Sequence, residues 1–308
     1  MPLGIRPMVD FAFKKIFGTP ANKQALISLI DAVLQPRTPI TDVQILNPFN
    51  YKEFEESKEI ALDVRCQDSS GRWLNVEMQV GAYAGMLQRL VYYAASMYAS
   101  QLATGVQYIE LSPAISICFL NHLLFRQGDQ AHHRFRLTDT ESGRVLEETI
   151  EVHTVELPKY NLEEETISHA SRLEQWVFFL RNAQDYDGAT LRRLLPGIEF
   201  DQAIKTIEII AAKTEDRHMY DAREKAILDF KFAISGARRE GLEEGMQKGL
   251  QKGLQKGRSE GKLAGTIQAL QQVLGDPVTP DEELMAKAPA TLEAMAAELQ
   301  QRIRARGE

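Results

Sequence analysis

At 308 residues, with 44% hydrophobic and 26% charged side chains, the chain has the makeup of a globular protein with one main core and an appendage. Its net charge of −7 argues against indiscriminate coating of nucleic acid, yet leaves room for a local basic face and for carboxylates that hold metal. No apolar run reaches the roughly 18–20 residues of a bilayer span, the start lacks a signal-peptide pattern, and Cys66 and Cys118 read as buried reduced thiols; a cytoplasmic protein with no membrane partner is expected.

In chain order, Asp10 to Phe17 reads as a short amphipathic helix closed by Gly18, and a longer helix over 22–34 follows Pro20 and stops before Pro36. A strand over 43–46 precedes a hairpin. In its first arm Leu62, Val64 and Cys66 alternate with Asp63 and Arg65; in its second Leu74, Val76, Met78 and Val80 alternate with Asn75, Glu77 and Gln79. This period of two predicts half-buried strands with one apolar and one polar face. Folding about Ser70 sets Asp63 opposite Glu77, although a bulge at Gly71 would shift the pairing by one residue. A helix over 86–103, a buried strand over 115–120 and strands over 134–138 and 150–157 follow. The predicted fold is α/β: a mixed central sheet flanked by helices, with a crossover helix.

After Tyr160 the pattern turns helical, over 167–182, 187–194, 200–213 and 217–234, with a last helix over 281–305. Glycines at 241, 245, 249, 253, 257, 261 and 265 recur every fourth residue, and Leu242, Met246, Leu250 and Leu254 each follow by one. The expected organisation is a core over 1–165, a helical extension over 166–235, and a glycine-repeat arm with a C-terminal helix over 236–308.

The hairpin carries the chemistry. Carboxylates facing each other at roughly 5 Å repel unless a cation lies between them, and one divalent ion reverses the sign of that interaction. Mg²⁺ held by two carboxylates could neutralise a phosphodiester and activate water. Gln79, on the face of Glu77, could orient that water. The structural alternative is a solvated outer face of a hairpin. Asp10 is either a third acid or the N-cap of the first helix. Arg89 and Tyr93 share a helical face and read as phosphate contacts or as core. Lys159 either caps the sheet edge or touches substrate. His132 and His133, adjacent on a strand, point to opposite faces and cannot share an ion. There is no P-loop, zinc spacing or nucleophile elbow.

Several segments resemble the PD-(D/E)xK nuclease superfamily, in its Rpn-type recombination-promoting nuclease and transposase branch. These are Asp10-x-x-Phe13-Lys14-x-x-Phe17-Gly18, Asp63, Val76-Glu77-Met78-Gln79, Arg89-x-x-x-Tyr93 with Tyr98 and Gln101-Leu102, Glu156-Leu157-Pro158-Lys159, and the glycine repeat, spanning about residues 8–265. The resemblance implies a restriction-endonuclease-like core, Asp63 and Glu77 as metal ligands, and Gln79 in the superfamily's lysine position, where the branch often carries glutamine. It implies a metal-dependent DNA endonuclease using Mg²⁺, or Mn²⁺ in its place, with links to recombination, mobile elements or genome defence. Glutamine lacks the lysine's charge, which Lys14 or Lys15 could supply. An RNA-directed nuclease of the same fold and a non-catalytic oligomeric binding or regulatory protein are the rival readings.

Each interior helical glycine costs about 1 kcal/mol relative to alanine, so the ladder is either a loosely helical linker, the preferred reading, or an arm supported by self-association or nucleic acid. A four-residue period winds about 40° per step around a helix, so it forms no straight coiled-coil seam.

Overall fold

The alternation over 73–79 becomes an interior strand of a six-stranded mixed sheet in the computed structural model, which describes residues 1–50, 64–81, 85–102, 105, 107–146 and 149–306. The strands are β1 (Val43–Ile45), β2 (Val64–Asp68), β3 (Trp73–Gln79), β4 (Ala114–Leu120), β5 (His132–Arg136) and β6 (Ile150–Glu156), in spatial order β1-β2-β3-β4-β6-β5. β1, β2 and β3 are antiparallel neighbours, β3, β4 and β6 run parallel, and β5 closes the far edge antiparallel to β6.

The β2–β3 hairpin has the register expected from folding about Ser70, with Val64 opposite Val76 and Arg65 opposite Asn75, and no one-residue shift. Its turn is clamped by Asp68, whose Oδ1 accepts from Ser70 N at 2.9 Å and Arg72 N at 3.0 Å. Gly71, at φ 86°, supplies the left-handed backbone the turn needs.

A parallel neighbour requires a crossover, and α3 (Met86–Ala99) lies on the path from β3 to β4. Its Met86, Leu90 and Ala94 pack against Cys118, Leu120 and Val152 on one face of the sheet. The other face, with Leu74, Val76, Met78, Ile115, Ile117 and Phe119, joins a larger core. That core is shared with α1 (Asp10–Phe17), α2 (Lys23–Leu34), α4 (Arg172–Asn182), α5 (Gly188–Leu194) and α6 (Ile198–Ala212). Trp176 anchors it, its ring 4.3 Å from that of Phe200 and its Nε1 donating to Ser28 Oγ at 3.0 Å. A capping box between Ser171 and Glu174 fixes where α4 starts.

Two expectations about the strands are corrected. The polar face of β3 is not solvated: Asn75, Glu77 and Gln79 are 3%, 1% and 2% exposed, because β3 has a strand on each side and that face lies on the side packed by α3. The strand expected over 134–138 is His132–Arg136, its register set by β6, and Thr138 makes only an isolated bridge to Val145.

The chain divides into two compact units, Met1–Lys231 and Phe232–Glu308. The first includes the start of α7 (Thr214–Leu274), whose Tyr220 is fully buried and accepts from Arg6 N at 2.9 Å. In the second, the end of α7 packs with α8 (Asp281–Met285) and α9 (Pro289–Arg306) through Ile267, Leu274, Leu284, Leu292 and Leu299. In place of the loosely helical linker, the glycine ladder is regular helix throughout. A Cβ at Gly241, Gly245, Gly249, Gly253 or Gly257 would meet nothing within 4 Å, so no packing among the described residues demands glycine there. Among the described residues no helix is long and apolar enough to cross a membrane.

Candidate active site

Glu77 stands in the second half of β3, between β2 and β4, with Cys118 as its cross-strand neighbour. Strand alternation sends Leu74, Val76 and Met78 into the main core and leaves Asn75, Glu77 and Gln79 in line on the opposite face. A buried carboxylate is costly unless it is hydrogen-bonded. Asn75 Nδ2 donates to Glu77 Oε1 at 2.6 Å and Gln79 Nε2 donates to Oε2 at 3.1 Å, so amides two residues before and after hold the two oxygens.

The surroundings are rich in oxygen donors. Asn75 Oδ1, Ser116 Oγ and Thr154 Oγ1 are buried with no hydrogen-bond partner among the described residues. Register places Ser116 beside Asn75, and Thr154 beside Cys118. Hard oxygen ligands are what Mg²⁺ and its retained waters take, so the residues present fit that ion. Among the described residues no group of three or more His, Cys, Asp or Glu is placed to hold a metal. Asp63, the other expected ligand, lies outside the described residues.

Arg89 and Tyr93 stack, the guanidinium 5.0 Å from the ring centre. Burial pushes the Cys118 thiol well above its ordinary value, the charge of Glu77 pushes it the same way, and that of Arg89 opposes both. Arg89 thus lies within electrostatic reach of the Glu77 row. The first helix is placed differently. Its apolar side chains belong to the core on the other face of β3, and Lys15 is buried with its Nζ 2.6 Å from Asp216 Oδ2, while Lys14 is half-buried. Lys159 ties the end of β6, 2.8 Å from Glu156. His132 meets His153 at 2.8 Å and His133 lies 3.7 Å from Glu156, on opposite faces as expected.

Asp10 is the first residue of α1, with Val9 as the N-cap. It is 1% exposed, accepts from Phe11 N at 2.8 Å and faces Arg223 at 3.7 Å. Burial pushes its carboxyl above the ordinary range, and Arg223 with the backbone bond only partly restores it. A raised carboxylate contributes stability that is present below its unfolded pKa and lost as pH rises through the folded one. Asp10→Asn keeps the acceptor for Phe11 and removes that loss. Denaturant unfolding at pH 8 is expected to show a gain of about 1 kcal/mol, shrinking towards pH 4. A loss of that size at pH 8 would show that Arg223 requires the ionised form.

Sequence reasoning missed Asn75 as a partner of Glu77, although the same period of two that marked Glu77 and Gln79 also marks it. It had no signal for Arg223, which comes to Asp10 from α7.

A family model described as PD-(D/E)XK nuclease family transposase matches residues 7–237. No curated protein and no solved structure matches the chain. A mixed six-stranded sheet flanked by helices, an acidic residue on an interior strand with glutamine two positions on, and a match over most of the length agree: the chain belongs to the PD-(D/E)XK nuclease family transposases.

Proposed function

We propose that this protein is a metal-dependent endonuclease that hydrolyses phosphodiester bonds in DNA at a site built on Asp63, Glu77 and Gln79. The observation that carries the reading is Glu77, a carboxylate 1% exposed on an interior strand and held by the Asn75 and Gln79 amides beside buried oxygens that lack partners. The β2–β3 register, with Val64 facing Val76, is the one from which the sequence pattern sets Asp63 against Glu77.

Asp63 and Glu77 would hold Mg²⁺, or Mn²⁺ in its place, which supplies charge to the phosphate oxygens and lowers the pKa of water. Gln79 donates its amide to Glu77 and stands beside the carboxylate, where a glutamine can orient the attacking water. Having no charge, it leaves the developing negative charge to a cation, for which Arg89, stacked on Tyr93, is the candidate, since the helix of Lys14 packs on the other face of β3. Lys15 is already matched to Asp216.

Self-association through the glycine repeat is supported by its exposed stripe, with Leu242, Met246, Leu250 and Leu254 between 57% and 70% exposed. Seven interior glycines weaken a lone helix, and a partner along that stripe would offset the cost. A cytoplasmic enzyme of recombination, mobile-element movement or genome defence fits the transposase family.

The test offers supercoiled DNA and a matched RNA with Mg²⁺, with Mn²⁺ and with chelator. Nicking of the DNA that needs the ion and vanishes in Glu77→Ala is the expected result. Cleavage of RNA alone would replace the substrate. Cleavage of neither, with metal titration showing no difference between wild type and Asp63→Ala, would favour a non-catalytic binding protein.

A further inference from the structure

A cationic cavity of the first unit lies away from Glu77. About 720 Å³ in volume, it opens between the loop after α2, the β2–β3 turn and the starts of β4 and β6. Ile115 and Glu151, cross-strand partners in its wall, lie on the face of Leu74, opposite that of Glu77. The two sites therefore occupy different faces of the sheet, and Glu77 is nearer the other end of the parallel strands.

Four guanidiniums, of Arg37, Arg72, Arg134 and Arg136, face two carboxylates, of Asp68 and Glu151, which leaves two net positive charges in a chain that is −7 overall. The carboxylates act as mounts. Glu151 accepts from Arg134 Nε on Oε1 and from Arg134 Nη2 on Oε2, each at 2.8 Å, and Arg136 Nε lies 2.8 Å from Oε2 as well. Asp68 holds Arg72 Nε at 2.7 Å. A guanidinium has five N–H donors, so each mounted arginine keeps several for a ligand. Arg37 is exposed and has no ion pair among the described residues, and the buried Thr149 Oγ1 has no hydrogen-bond partner. Beside the polar Thr38, Ser69 and Ser70, the wall has a stiff apolar part in Pro36, Pro39, Ile40 and Pro113. A bare phosphate uses neither that wall nor that volume, which is typical of small-molecule sites.

We propose that this cavity binds a nucleoside phosphate, its phosphate on Arg37 and Arg136 and its base against the prolines. Two sources carry that chemistry: a free nucleotide, and the 5′-phosphorylated terminal nucleotide of a strand. The test is calorimetric titration of the full chain in chelator, which silences metal-dependent cleavage. The probes are AMP, ATP, adenosine, inorganic phosphate, and an oligonucleotide with and without a 5′-phosphate. Saturable binding of AMP or ATP, or of the phosphorylated oligonucleotide over its unphosphorylated twin, is expected; whichever binds names the source. Arg37→Ala with Arg136→Gln, which removes two charge-assisted bonds, should weaken it about a hundredfold, and Arg37→Ala alone, at an exposed site, should weaken it about tenfold with an unchanged melting curve. Glu77→Ala should leave it intact. The proposal falls if no phosphorylated probe saturates, if inorganic phosphate binds as tightly as AMP, if the double variant binds like wild type, or if Glu77→Ala abolishes binding.

Discussion

Glu77→Ala is expected to reduce single-turnover nicking of supercoiled DNA at saturating Mg²⁺ by about a thousandfold or more, roughly 4 kcal/mol of transition-state stabilisation. The side chain is one of two carboxylates proposed to hold the ion, and removing it leaves the Asn75 and Gln79 amides without the oxygens they donate to at 2.6 and 3.1 Å. The same variant should therefore lose about 1–3 kcal/mol of stability, the cost of unpaired buried donors. Glu77→Gln separates the two effects. It fills the same volume, and one amide rotation restores one of the two bonds, so stability should fall by less than about 1.5 kcal/mol while cleavage falls nearly as far as in the alanine variant. Nicking within tenfold of wild type in both variants, each folded by its melting curve, would remove Glu77 from the chemistry.

Glu151→Ala is expected to cost about 3 kcal/mol of folding stability. Glu151 is 9% exposed and takes Arg134, Arg136 and His153 on its two oxygens. Removing one member of a buried charge cluster strands the others, typically at 3–5 kcal/mol; the partial exposure of Arg134, at 44%, sets the lower end. In a unit of this size that is a fall in melting temperature of about 6–12 °C. Burial pushes the Glu151 carboxyl up, but the His153 and Arg134 bonds outweigh it and hold the group below the ordinary range. A depressed carboxylate stabilises above its unfolded pKa, and that contribution is lost as pH falls through the folded value. The difference between wild type and variant should therefore be full at pH 7 and shrink below about pH 4. A shift under 2 °C at pH 7 would show that the arginines find other partners.

The sheet was legible because its strands advertise themselves at close range. Alternation over 73–79 and the unbroken apolar run at 115–120 each mark a strand, and the Ser-Ser-Gly turn fixes a register that Val64 and Val76 display. Glu77, Gln79 and the Arg89–Tyr93 pair were legible for the same reason, since spacing alone puts them on one face. What covers a face is another matter. Alternation says that Asn75, Glu77 and Gln79 share a side; it cannot say that the side is closed, because closure comes from α3 and the strands flanking β3. The Glu151 cluster joins β5 to β6 through long side chains, and arginine is ordinarily read as solvated. The glycine ladder reads as only loosely helical because propensity counts against helix at each glycine, and the segment is continuous helix.

The pairing of Cys118 with Glu77 across β3 and β4 gives the centre its own clock. The thiol is fully buried and held protonated, the inert state towards alkylating reagents, because only the thiolate attacks them. Iodoacetamide can therefore reach Cys118 only when the cover over the Glu77 face, α3 above all, opens, and the labelling rate counts those openings, with Cys66 on the opposite face of the sheet as a second timer. Slower labelling of Cys118 than of Cys66 when Mg²⁺ is added would report the ion tightening one side of the sheet, in a measurement that needs no substrate.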